Sequence, residues 1–309
     1  PNTVEFSEVS CPEPAEHDVV VEVGTSWISN GTEGSFLRGE RIEGDVAYRD
    51  GDPWPFPIVA GYQKIGVVSY VGDLVEGYKI GDRVFAAMGR VDGMFQAVGG
   101  QLSPSVCDAA QVWKLPPEEE TGIPDDAYSG LVLTQVGYNC GVRPEIRIGG
   151  TALVLGDGLV GQWAAQTLWG RGAKVGLFGH HDDRLARFAG LEQRRAGRLA
   201  LNTATDTWRD ELSAFLSGST VDVFVDTVGS IESIHEYLPM MSRFSHVVSA
   251  GFYGTEDLLS LQALRNYEIA VDLVSGWQKG RIDETLELVS RNILETLPLV
   301  THRFAAAQA

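Results

Sequence analysis

Residues 153–161 read Leu153-Val154-Leu155-Gly156-Asp157-Gly158-Leu159-Val160-Gly161. Three glycines at this spacing, after an apolar strand and at the opening of an apolar helix, can cradle a pyrophosphate. Gly156 permits a tight turn, Gly158 lets the backbone approach the phosphates, and Gly161 lets helix and strand pack closely. Leu159 and Val160 stand in the first helical turn, where free N–H groups and the positive end of the helix dipole face an anion. The spacing alone is weak evidence. It gains force from a second strand-like run, Lys174 to Phe178, which completes a strand–turn–helix–strand unit. The unit predicts a dinucleotide site; a tight turn in some other doubly wound protein is the alternative.

The end of the second strand chooses between dinucleotides. An Asp or Glu there would accept from the ribose 2′-hydroxyl of NAD. Here Gly179 stands at that position, followed by His180-His181-Asp182-Asp183-Arg184. Gly179 leaves room for a 2′-phosphate, and His180, His181 and Arg184 can donate to one. Asp182 and Asp183 are either ribose ligands or caps on the next helix. On the missing acid, NADP(H) is expected over NAD(H).

The elements that must position these residues follow from periodicity. From residue 150 onward strand patterns (151–155, 174–178, 220–226, 246–250) alternate with helical ones (160–170, 183–189, 233–241). Such alternation predicts a parallel sheet with helices on both faces. Residues 1–130 instead show short strands (18–23, 64–71, the turn and strand 78–85, 111–116) punctuated by Gly and Pro, which predicts a barrel-like β domain. Apolar spacing predicts a helix over 126–140. The expected domains are 1–125 and 126–280, with 281–309 returning to the first. The chain opens in an apparent mid-strand at Pro1 to Phe6 and stops just after a strand-like segment at Phe304, so terminal residues are expected to be missing.

A chain of 309 residues is too long for one ordinary core. Its net charge of −18 repels nucleic acid and anionic membranes, so neither is an expected partner. Cys11, Cys107 and Cys140 are far apart and odd in number, which fits idle thiols in a reducing compartment. No apolar run reaches membrane-spanning length and no signal peptide opens the chain, so a cytoplasmic protein is expected.

The order of a β domain followed by a dinucleotide fold, taken with several signposts, resembles the alcohol dehydrogenase-like, medium-chain dehydrogenase/reductase superfamily over nearly the whole chain. Ser29-Asn30-Gly31-Thr32-Glu33 is similar to the superfamily's Cys-Gly-Thr-Asp segment. Pro57 to Gly66, with Gly61-Tyr62-Gln63, is similar to its Gly-His-Glu segment. Gly81-Asp82-Arg83-Val84 matches its Gly-Asp-Arg-Val, and Trp113 to Pro116 its last strand in the first domain section. Asp226-Thr227-Val228-Gly229 resembles the strand end beside the nicotinamide. The first two segments are nearest to the branch containing bacteriochlorophyllide a dehydrogenase.

The resemblance implies an α/β chain, with an N-terminal GroES-like β-barrel catalytic domain and a Rossmann doubly wound parallel sheet. It adds Val228, Gly229, Ala250 and Gly251 to the cofactor contacts. It also exposes a departure. Where zinc members carry Cys, then His and Glu, this chain has Asn30, Tyr62 and Gln63, and the third ligand region falls near the apolar Val132 and Leu133. Catalytic zinc needs ligands of Cys, His or carboxylate type, and a structural zinc lobe needs four close cysteines, so no zinc is expected.

Without a metal, hydrogen-bond donors must stabilise a developing alkoxide or enolate. Tyr62 is the first candidate, as a proton donor or as a packed filler of the vacated space. Asn30 and Gln63 are candidate polarising amides or a structural network, and Thr32 a substrate contact or proton relay. Glu33 is expected to be structural, for instance paired with Arg38, and His302 to be structural in a late strand. Trp27, Trp54, Phe95, Tyr128 and Trp277 are candidates for an apolar cleft, with core or dimer surface as the alternative. A homodimer is expected through residues 258–277. The expected activity is hydride transfer between nicotinamide and a small-molecule carbonyl or secondary alcohol. Reduction of an activated C=C bond and a non-catalytic dinucleotide-binding role are the alternatives.

Overall fold

The computed structural model describes residues 3–190, 197–255 and 258–308. The chain forms two compact units, one of residues 1–132, 282–292 and 300–309, the other of residues 133–281 and 293–299.

The first unit is built on β1 (Asp18–Ser26), β4 (Lys64–Val71), β5 (Arg83–Ala86), β6 (Gly89–Arg90), β7 (Val98–Gly99), β8 (Ser105–Asp108) and β9 (Val112–Lys114). They form one antiparallel sheet in the order β7-β6-β8-β1-β4-β5-β9. A two-stranded hairpin, β2 (Arg41–Glu43) with β3 (Val46–Ala47), stands apart from it. Alternation along β1 explains the inside face, since Val19 and Val21 are buried while Glu22 between β-neighbours points outward. They pack with Val68, Val84, Ala86, Cys107 and Val112. The helix α1 (Asn30–Leu37) and the single turn α2 (Glu118–Thr121) belong to this unit.

The second unit holds six strands: β10 (Thr151–Leu155), β11 (Lys174–Gly179), β12 (Arg198–Asn202), β13 (Val221–Asp226), β14 (Met241–Ser249) and β15 (Ala270–Leu273). All pair in parallel, in the order β12-β11-β10-β13-β14-β15. The central strands β10 and β11 read as near-continuous apolar runs because both faces are covered, whereas the edge strand β15 is mostly exposed. Ala152, Val154, Val175, Leu177, Val223 and Val225 face one side. There they meet Cys140 of α3 (Leu131–Val142), Ala164 and Leu168 of α4 (Leu159–Gly170), and Leu185 and Phe188 of α5 (Asp182–Gly190). Leu153, Phe178, Phe224 and Val247 face the other side, toward α6 (Trp208–Leu216), α7 (Ile231–Tyr237) and α8 (Leu261–Arg265). The first strand, β10, lies between β11 and β13, so the order reverses there. That switch point is where open α/β sheets hold ligands. The last α-helix, α9 (Lys279–Ser290), lies mostly in the first unit, which takes residues 282–292.

Several expectations are corrected. Pro1 and Asn2 lie outside the described residues, and residues 3–15 carry no strand. Nor do residues 300–305, so His302 is not on a strand; it is exposed, with Nδ1 2.9 Å from Thr301 Oγ1 and its ring stacked on Phe304. The helix expected over 126–140 is a 3-10 turn, Asp125–Tyr128, followed by α3. At Gly130 between them a side chain would run into the Trp27 ring. The helix expected over 233–241 ends at Tyr237, where Leu238-Pro239-Met240 tightens to a 3-10 turn and β14 begins.

Candidate functional site

The glycine turn occupies the switch point of the second unit. Gly156 follows β10 with φ +111, in the left-handed region that favours glycine, and its N–H donates to Phe178 O at 2.9 Å. A side chain at Gly161 would overlap the carbonyl oxygen of Gly156, so helix and turn touch backbone to backbone. Gly158 caps α4 without a side-chain hydrogen bond, and a Cβ there would meet open space. The first turn of a 12-residue helix therefore offers its N–H groups outward, which fits a pyrophosphate.

Two carboxylates sit at the strand ends beside this turn. Asp226, fully buried at the end of β13, accepts from the N–H groups of Val228 (2.9 Å), Gly229 (3.1 Å) and Ser230 (2.8 Å). Tyr253 adds its hydroxyl at 2.6 Å. This carboxylate shapes the Val228–Ser230 turn. Gly229, at φ +90, and Gly251 approach so closely that a Cβ on Gly251 would overlap Gly229 N. The predicted contacts Val228, Gly229, Ala250 and Gly251 thus gather in one place, at the ends of β13 and β14.

The second carboxylate belongs to Asp157, inside the glycine turn. Oδ2 accepts from His180 N and His181 N, each at 2.9 Å, and lies 2.9 Å from His181 Nδ1. Oδ1 has longer contacts, 3.2 Å to His181 Nδ1 and 3.3 Å to Arg184 Nη1. Burial pushes the Asp157 carboxyl up, but the His181 ring and the N–H groups of His181 and His180 outweigh it and hold it below its ordinary value. A Cβ on Gly179 would collide with this carboxylate. The volume directly over Gly179 is thus taken by the Asp157 carboxylate. Asp182 is tied to Asn202 Nδ2 at 2.7 Å, and Asp183 reaches Arg187 at 3.5 Å within α5.

In the first unit the candidates gather around the start of α1. Ser29 caps this helix, accepting from Thr32 N at 3.4 Å. Glu33 reaches back to Ser29 N at 2.5 Å and accepts from Gln101 Nε2 at 3.1 Å. Arg38 pairs with Glu40 instead, so Glu33 is structural but not through Arg38. Burial raises the Glu33 carboxyl against the opposing hydrogen bonds of Ser29 and Gln101. The Ser29 and Thr32 side chains lie beside the Tyr62 phenol. Burial pushes the phenol up to about 12; the Ser29 and Thr32 hydrogen bonds oppose this and the Glu33 charge adds to it. Tyr62 and Thr32 are brought together, Asn30 is exposed at the first position of α1, and Gln63 is fully buried.

Of the aromatic candidates, Tyr128 is fully buried, bonded to Ser290 at 3.2 Å, and belongs to the core. Trp54 packs on Tyr48 and Phe56 at the surface. Ser29, Gln101, Asp157 and Tyr253 were not among the expected site residues. An acid inside the glycine fingerprint, coupled with a glycine where the strand-end acid belongs, is the signal that marks Asp157.

Residues 16–117 match the alcohol dehydrogenase GroES-like domain. The chain is 24% identical over 322 residues to 2-desacetyl-2-hydroxyethyl bacteriochlorophyllide A dehydrogenase of Cereibacter sphaeroides, covering 100% of this chain and 89% of that protein. Among solved structures it is similar to a short chain alcohol dehydrogenase from Escherichia coli complexed with NADH (TM-score 0.78, 21% identity, 99% and 90% of the two chains). It is also similar to a zinc-binding dehydrogenase from Sinorhizobium meliloti bound to NADP (TM-score 0.76, 18% identity, 95% and 87%). The chain thus has a GroES-like N-terminal domain followed by a Rossmann-like parallel sheet, the fold these dehydrogenases share, and the likenesses support an oxidoreductase of the alcohol dehydrogenase type.

Proposed function

We propose that the chain is a zinc-independent, nicotinamide-dependent oxidoreductase that exchanges hydride with a carbonyl or secondary alcohol. The observation that carries this reading is the glycine turn at the switch point, with Gly158 open and α4 presenting uncapped N–H groups. A bound nicotinamide supplies the hydride chemistry. The residues of this chain supply orientation and a donor. The α4 N-terminus takes the pyrophosphate, and the turn pinned by Asp226 carries Val228 and Gly229 to the strand ends.

At the zinc-ligand positions Asn30, Tyr62 and Gln63 offer two amides and a phenol, a donor set that does not fit zinc. Tyr62 takes the metal's place as an electrophile. With its phenol raised to about 12 it keeps its proton at neutral pH, and the Ser29 and Thr32 hydroxyls beside it make a three-hydroxyl set for an oxygen that gains charge.

The test is an assay of nicotinamide-linked turnover against secondary alcohols, ketones and activated enones, with and without a chelator. Turnover with alcohols or ketones that survives the chelator is expected. Replacing Tyr62→Phe should lower kcat about 100-fold, the scale of one lost oxyanion donor, and leave nucleotide affinity unchanged. Loss of turnover in chelator refutes zinc independence. Turnover with enones alone moves the reaction to C=C reduction.

A further inference from the structure

We infer that Asp157 selects the dinucleotide: its carboxylate, supplied from the glycine turn in place of a strand-end acid, accepts from a ribose 2′-hydroxyl and makes the chain prefer NAD(H) to NADP(H). The inference rests on the nicotinamide reading above and goes a step further.

Three observations carry it. The carboxylate stands in the volume that a side chain at Gly179 would take, so an acid is present beside the end of β11 although its Cα lies on the neighbouring strand's turn. It also occupies the groups that would otherwise receive a phosphate. The N–H groups of His180 and His181, the His181 ring and Arg184 all point at it. These make an anion nest, and Asp157 is the anion in it. A 2′-phosphate, carrying about −1.5 to −2 charges, would have to enter beside this ionised carboxylate, and like charges at contact distance repel.

The third observation is the uneven hold on the two oxygens. Oδ2 takes three contacts at 2.9 Å, whereas among the described residues Oδ1 takes longer ones, at 3.2 and 3.3 Å, from side chains about half in solvent. Oδ1 is therefore the atom that accepts from a hydroxyl. Of the other acids nearby, Asp182 accepts from Asn202 Nδ2 at 2.7 Å, and Asp183 lies 3.5 Å from Arg187 with its side chain largely in solvent.

Binding, followed by dihydronicotinamide fluorescence for NADH and NADPH, tests this without a substrate. The wild-type chain should bind NADH more tightly by about 10- to 100-fold, the worth of one hydrogen bond to a charged group. Asp157→Ser removes the carboxylate and frees the nest, so NADH should weaken, NADPH should tighten and the preference should invert. Asp157→Asn keeps the side chain's shape, removes its charge, and should lose the discrimination even if the serine variant folds poorly. Preference of the wild type for NADPH would overturn the inference while leaving the nicotinamide reading intact; it would mean that Arg184 and His181 leave Asp157 for the phosphate. Equal weakening of both nucleotides in the two variants would overturn it as well. Binding of neither nucleotide by the wild type sinks the nicotinamide reading itself.

Discussion

Replacing Gly179→Ala should change sign as a stability mutation, depending on residue 157. Gly179 is the last residue of β11 and has no positive φ, so its backbone suits any residue. On backbone grounds alanine would stabilise by about 0.5–1 kcal/mol, since glycine loses more freedom on folding. In the wild type, however, the new methyl collides with the Asp157 carboxylate. Either the turn strains, or the carboxylate leaves its two backbone donors. Strain from overpacking costs about 1–3 kcal/mol, and losing hydrogen bonds to a charged group costs about 1.5–3 kcal/mol. The pairs with His181 and Arg184 add little, because those side chains are 51% and 42% exposed. Set against the backbone gain, the net expectation is a loss of up to about 2.5 kcal/mol. In an Asp157→Gly background the obstacle is gone, and Gly179→Ala should be neutral or stabilising. Urea unfolding of the wild type, both single variants and the double variant gives the coupling directly. Additivity of the two substitutions, with a coupling below about 0.5 kcal/mol, would refute the claim that Asp157 fills the place over Gly179.

Three further outcomes follow from the same contacts. Asp157 is held below its ordinary carboxylate value in the folded chain, so its stabilisation is present above the unfolded value of about 3.9 and is lost as pH falls through the folded one; the stability gap between wild type and Asp157→Asn should close in acid unfolding below about pH 4. Lys64 is fully buried, donates to Ala87 O at 2.7 Å, and is lowered by burial. Its unfolded form holds the proton to about pH 10.4, so folding gains stability as pH rises from the folded value toward that point; Lys64→Met should remove this rise, measured as the difference from wild type across the alkaline range. Gly161→Ala forces a methyl onto the Gly156 carbonyl and should cost about 1–3 kcal/mol in urea unfolding together with most of the nucleotide affinity, read by fluorescence titration.

The parts of the fold legible in the sequence are those where one residue type answers one geometric demand. The fingerprint glycines are such a case, since Gly156 needs a positive φ and Gly161 a missing Cβ. The apolar run of β10 is another, because burial on both faces leaves no alternation to misread. Helix α1 was hidden for the opposite reason. Its sequence Asn30-Gly31-Thr32-Glu33-Gly34-Ser35 has no apolar stripe, and it is held by the Ser29 cap and the Glu33 return contact. Trp208–Leu216 and Lys279–Ser290 were passed over as well, although Trp208 and Leu212, and Ile282 and Val289, are buried at helical spacing. The candidate site was legible by position and not by partner. Tyr62 and Thr32 were named, but their meeting at Ser29 joins residues on two separate segments. The Asp157 contacts span 23 to 27 residues of chain, beyond any local spacing rule.

Contact length and solvent exposure separate the Asp226 and Asp157 carboxylates into different roles, although four donors approach each. Asp226 takes three backbone N–H groups and the Tyr253 hydroxyl, so both oxygens are filled from within the chain. Such a group fixes a turn and has nothing left for a ligand; it is a positioning residue. Asp157 takes its strong contacts on one oxygen and leaves the other with long ones, from side chains that remain half in solvent. A carboxylate anchored on one oxygen and open on the other is oriented without being used up. That asymmetry is what a ribose hydroxyl requires, and it arises only because residue 179 has no side chain to claim the same volume.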